Sequence, residues 1–172
     1  MTSSLHEPDR QLSDPAVLLL EYLDYYRSVI DAKIEGLSDT ELRISRLPSG
    51  WTPLELLTHL VHMERRWLRW GFRAEQVTDP LGDTGPAGRW QVGPEQTAAE
   101  LLAALHAGGA TTRAIWTGTP LSTVAEAGGR FPDDGSPRPT LGWILFHVLQ
   151  EYARHAGHLD IVRELSDGVT GE

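Results

Sequence analysis

A chain of 172 residues with 40% hydrophobic residues and six Trp is long enough to bury one substantial core. Its formal charge of −9, from 15 basic and 24 acidic residues, argues against non-specific binding to nucleic acid or to an anionic membrane surface. The absence of cysteine excludes disulfides, zinc fingers and an internal thiol nucleophile, so any metal ion must take nitrogen and oxygen ligands.

No internal repeat is present, and the chain reads as one domain, a helical bundle over about residues 14–166 behind a polar tail at 1–13. Met1 to Asp14 lacks the basic-then-apolar pattern of a signal peptide, and no apolar stretch approaches a membrane span, so a cytoplasmic protein is expected. The first helix opens at Asp14, a capping residue, with Pro15 at its first position. Val17, Leu20, Leu23, Tyr26, Val29, Ile30 and Ile34 then recur at three- and four-residue steps, and Gly36 ends it near residue 35. Ser38-Asp39-Thr40-Glu41 is a capping box for a short turn reaching about Arg43.

Thr52-Pro53-Leu54-Glu55 is a second capping box, opening a helix over 53–72. From Thr78 to Gly93 the glycines and prolines predict a loop, long enough to cover a cleft. Thr97, with Glu100 three residues on, starts a helix over 97–116, in which Gly108-Gly109 either weakens the helix or permits close packing. The segment Thr117–Pro139 is again loop, with a short strand expected over Thr123–Phe131. The last helix runs over 140–165. Four long helices and almost no sheet predict an all-α four-helix bundle with long Gly/Pro-rich connections.

Five of the seven histidines fall on two of these helices: His59 and His62 on one, His147, His155 and His158 on the last. His6 lies in the tail and His106 in the third long helix. Glu151 and His155 are four residues apart, hence on one helix face one turn apart. His59, set among Leu56, Leu57, Leu60 and Met63, should face inward. A carboxylate and an imidazole on one helix, with an imidazole from a neighbour, make a three-ligand site that leaves positions open for water or substrate. Spacing alone leaves His62, His147 and His158 as rivals, each about one turn from a proposed ligand. Asp160 and Arg163 are spaced to pair with each other.

The run Glu151-Tyr-Ala-Arg-His155-Ala-Gly157-His158-Leu-Asp160 resembles the C-terminal signature of the DinB-like superfamily. In one actinobacterial branch that signature reads Glu-x-x-x-His-x-Gly-His-Leu-Asp. Trp51, separated by seven residues from His59-Leu60, and the following Glu64-Arg-x-Trp67 resemble the same branch. The resemblance spans about Asp14 to Leu165. It implies a DinB-like four-helix bundle with metal ligands at His59, Glu151 and His155. Many members carry His where this chain has Glu151; the His, Glu, His set is that of the mycothiol-dependent maleylpyruvate isomerases, and it favours a harder ion. His62 and His158 are then expected beside the site as catalytic groups, and Arg163 as a cofactor-binding residue.

The resemblance further implies a divalent ion, zinc by default with nickel also accommodated, and a diffusible thiol such as mycothiol as cosubstrate. A thiol S-transferase or isomerase acting on a small electrophile is the leading expectation, with the loops at 82–93 and 123–139 shaping the electrophile pocket. The alternatives are a hydrolase using metal-bound water, with His62 or His158 as general base, and a non-catalytic, stress-related metal-binding protein. A homodimer through the Trp-rich helices is also expected, since exposed aromatic patches are usually covered.

Overall fold

Side-chain caps fix where the helices begin. In the computed structural model, which describes residues 5–171, Asp14 Oδ1 accepts from the N–H groups of Ala16 and Val17 at 2.8 and 3.3 Å and starts α1, Pro15–Ile34. Gly36, at φ +86°, turns the chain into α2, Asp39–Leu42. Reciprocal capping boxes open α2 (Ser38 with Glu41), α3, Pro53–Arg65 (Thr52 with Glu55), and α4, Ala98–Trp116 (Thr97 with Glu100). Each box satisfies two backbone donors that the first helical turn leaves without partners. Thr140 caps α5, Leu141–Asp167. The first four residues of the predicted tail lie outside the described residues, and no helix is long and apolar enough to cross a membrane.

The long helices pack as one bundle: α1 lies against α5 and α4, and α3 lies against α4 and α5. Leu23, Ile30, Leu54, Leu56, Leu57, Leu60, Leu145, Val148 and Leu159 are shut away from water in the core, and Met63 is only 2% exposed. At roughly 1.5–3 kcal/mol for each fully buried aliphatic side chain, this apolar interior is the main source of stability.

Two expectations need correction. The helix over 53–72 is α-helical only to Arg65; Arg66–Phe72 is a π-helix. The wider turn changes the partners of its last carbonyls: those of Trp70 and Phe72 accept from the N–H groups of Arg130 and Glu126 in the following loop, at 3.1 and 2.9 Å. The expected strand over 123–131 is absent. Only an isolated bridge, Val124 to Thr140, forms there among the described residues; the Glu126 and Arg130 N–H groups go to the helix end, and Gly128 closes a turn on Phe131.

One charged layer crosses the core. Arg27 of α1, Glu64 of α3, Thr112 of α4 and Tyr152 of α5 are all buried. The Glu64 carboxylate accepts from Arg27 (2.5 and 3.3 Å), from the Tyr152 hydroxyl (2.6 Å) and from the Thr112 hydroxyl. Arg27 also donates to Asp24 at 2.6 Å. Gly109 makes this possible: a Cβ there would stand 2.7 Å from Arg27 Nε. Of the two sequence readings of Gly108-Gly109, close packing is the one realised. Desolvation cancels most of what a buried ion pair contributes. The layer ties α3 directly to α5 through the Tyr152–Glu64 hydrogen bond.

Candidate metal centre

With α3 and α5 so oriented, His59, Glu151 and His155 meet. Their ligand atoms all lie within 4.8 Å of one another. His155 Nε2 is 3.2 Å from Glu151 Oε2, and His59 Nε2 is 4.0 Å from the same oxygen. Ligands about 2.0–2.2 Å from a common ion stand roughly 3–3.5 Å apart in a tetrahedral arrangement, so small adjustments would bring the three into range.

The outer nitrogens of both imidazoles are engaged elsewhere. His59 Nδ1 is 2.9 Å from Asp83 Oδ2, and His155 Nδ1 is 3.1 Å from His158 Nδ1. A histidine that donates its Nδ1–H outward presents the Nε2 lone pair inward, as carboxylate–histidine–metal sites require. The donor set fits a divalent ion: two imidazole nitrogens and one carboxylate oxygen, gathered within 4.8 Å of one another.

Asp83 is the residue that sequence reasoning missed. It lies in the 78–93 loop, its side chain is 1% exposed, and Arg66 clamps it with both guanidinium nitrogens, one at 3.0 Å. Burial favours the neutral acid, but hydrogen bonds from His59 and Arg66 outweigh it and hold Asp83 well below the usual carboxylate range. Burial likewise works against a charged His59, yet the carboxylates of Asp83 and Glu151 raise its pKa. Hydrogen bonds from His155 and His59 lower that of Glu151. The Trp90 ring, from the same loop, stacks on His59 with centroids 4.4 Å apart. Nothing in a loop's composition marks which acid will turn back into the core.

The other predicted residues are distributed unequally. His158 adjoins the cluster through His155 and lies 5.9 Å, centroid to centroid, from Trp51. His147 Nε2 is 3.4 Å from Glu151 Oε1, the carboxylate oxygen turned away from His155. His62 points elsewhere, toward Arg65 at 3.0 Å. Burial, and then nearby cations, lower the pKa of both His62 and His158. His106 pairs with Asp31 at 2.8 Å on the α1–α4 side. Arg163, two helical turns beyond His155, donates to the carbonyls of Ala32, Lys33 and Glu35 at the end of α1 and pairs with Asp167. The expected Asp160–Arg163 pair does not form, because Asp160 bonds Lys33 instead. Both residues are drawn across to α1, since α1 packs on α5.

The family model described as MST, mycothiol-S-transferase, matches residues 18–168, a span that includes all three converging ligands. No curated protein matches the chain.

Proposed function

The chain belongs to the mycothiol-S-transferase family, within the DinB-like superfamily, and from that premise we propose that it joins a low-molecular-weight thiol of the mycothiol type to a small electrophile. In this reading His59, Glu151 and His155 hold a divalent ion, zinc by the character of the donor set. The observation that carries it is the convergence of three potential ligand atoms whose imidazoles are both tethered from behind. Bound there, such an ion lowers the pKa of a thiol so that the thiolate exists near neutral pH.

The chain's own groups do the rest. Asp83 and Arg66 lock the tautomer and the ring angle of His59. Glu151 offers Oε2 to the centre and keeps Oε1 against His147. Of the two histidines proposed to take up protons, His158 is hydrogen-bonded to the cluster and His62 is not, so His158 is the stronger assignment. With no cysteine in the chain, the nucleophilic sulfur arrives on the cosubstrate, which suits a cytoplasmic reaction. Arg163 has no part in this proposal, because the end of α1 engages its guanidinium.

The test is metal analysis of the untagged protein, followed by conjugation of mycothiol to a model electrophile with and without the ion. Conjugate should form only with both present, and His59→Ala should abolish it together with metal binding. In cobalt-substituted protein, mycothiol should add a near-ultraviolet sulfur charge-transfer band. Product formed at a rate independent of thiol would replace this reading with a hydrolase. Metal binding without any turnover would replace it with a binding protein.

A further inference from the structure

Beside the metal centre, a cavity of about 470 Å³ is lined by Trp67, Phe131, Arg138, Thr140 and Trp143, with Pro137 and Pro139. Its aromatic wall is continuous. Trp67 lies 6.3 Å from Phe131 and 5.6 Å from Trp143, centroid to centroid. His147 separates this wall from the metal centre. Its ring is 4.4 Å from that of Trp67 and stacks nearly parallel on Trp143, 6° between planes at 5.4 Å, while its Nε2 touches Glu151. The two indole planes are inclined at 56°, so a molecule flat against the exposed Trp143 ring meets Trp67 at an angle, one side chain away from the proposed ligands.

The charge around this wall is unexpected in an acidic chain. Arg138 lines the cavity, and the Arg130 guanidinium sits 4.2 Å from the Trp67 ring centroid. Among the described residues no ion pair with a carboxylate is formed by either. The acids nearest in sequence are turned away: Asp133 and Asp134 are exposed, and Asp134 accepts from the N–H of Ser136 at 2.9 Å. Burial, then Arg66, depress the pKa of Arg130, and no acid offsets them.

Backbone contacts hold Arg130 in this place. The N–H groups of Glu126 and Arg130 donate to the carbonyls released by the π-helix. Gly129 lies so close to the helix that a Cβ would stand 2.8 Å from Ala74 Cα, and one on Gly71 would meet Phe131 at 3.3 Å. Two half-buried cations kept without counter-ions beside an aromatic wall make a site for a counter-ion with an aromatic or conjugated body.

We infer that this cavity is the electrophile pocket, and that it selects a planar, aromatic or conjugated carboxylic acid, with the ring or double-bond system on Trp143 and angled against Trp67, and the carboxylate toward Arg138 and Arg130. That the occupant is the electrophile rests on the transferase reading; the preference for an anion does not.

Calorimetric titration of the full chain with 2-naphthoate and its neutral isostere 2-naphthamide tests the preference without metal, thiol or turnover. The acid should bind at one site at least tenfold more tightly than the amide. Arg138→Met should remove most of that preference and Arg130→Met part of it. The double variant should bind both ligands alike, with the amide's Kd unchanged, and Arg138→Lys should keep part of the preference. Trp143→Ala should weaken both ligands. In the His59→Ala protein the naphthoate Kd should stay the same, so failure of the metal reading leaves this result intact. Equal binding of acid and amide by the unaltered protein, or a preference surviving in the double variant, would overturn the inference. So would a dimer that Trp143→Ala splits and that binds neither ligand, since the aromatic wall would then be a surface between two copies of the chain.

Discussion

The bundle holds two clusters of buried or half-buried charged and polar side chains, and they are built on opposite plans. Around Glu64 every group has what it needs: the carboxylate accepts from Arg27, Thr112 and Tyr152, and the charges cancel inside the cluster. Around Glu151 the donors have been turned outward. Two imidazoles spend their Nδ1 positions on Asp83 and His158, and their Nε2 atoms and a Glu151 oxygen gather within 4.8 Å of one another. A satisfied cluster fixes geometry; an outward-tethered one keeps its lone pairs for something that is not part of the chain. The two clusters share helices α3 and α5, so the first sets the angle at which the second forms.

Breaking each cluster should therefore give a different symptom. The largest expected effect is on stability: Glu64→Ala leaves Arg27 buried beside Asp24 alone and should cost about 3–5 kcal/mol in denaturant melts. His59→Ala should leave the metal-free melt within about 0.5 kcal/mol while weakening zinc by more than about 100-fold, or roughly 2.7 kcal/mol, in a chelator competition. Asp83→Asn keeps the shape of the tether but removes its charge, and should weaken zinc by about 10–100-fold. Tyr152→Phe deletes one of the donors to Glu64 and should cost about 1–1.5 kcal/mol of stability. At the small end, His62→Ala should change zinc affinity less than about twofold, well below what losing a hydrogen bond to a ligating side chain costs. If Glu64→Ala stripped the metal from a protein that still melted normally, or if Asp83→Asn destabilised the fold without touching zinc, the division between the two clusters would be wrong.

Much of this was legible in the sequence because it is local. The three capping boxes, the Asp14–Pro15 start and the Gly36 stop depend on neighbours within four residues, and they stand where the pattern placed them. Glu151 and His155 were legible for the same reason, as one face of one helix. What was missed needs distant partners. Asp83 returns from a loop across 24 positions to His59, and the π-helix is matched by hydrogen bonds from a loop some 55 residues later. The Glu64 cluster lies between these cases. Arg27 falls between Leu23 and Ile30, and Glu64 follows Leu57 and Leu60 at helical steps, so two opposite charges stood on inward stripes. That signal was present in the sequence, and the buried pair is what it encoded.

Met63, sealed in the core at 2% exposure, has a consequence for survival in oxidising surroundings. With no cysteine anywhere in the chain and this methionine out of reach, peroxide finds no protein thiol to carry from sulfenic to sulfonic acid, and no exposed thioether among the described residues. In the transferase reading, damage then falls on the diffusible thiol, which cells can regenerate, while the bundle and its histidines stay in place. On that reading the expendable sulfur belongs to the cosubstrate and not to the bundle, so output would follow the redox state of the thiol pool and resume once that pool is reduced again.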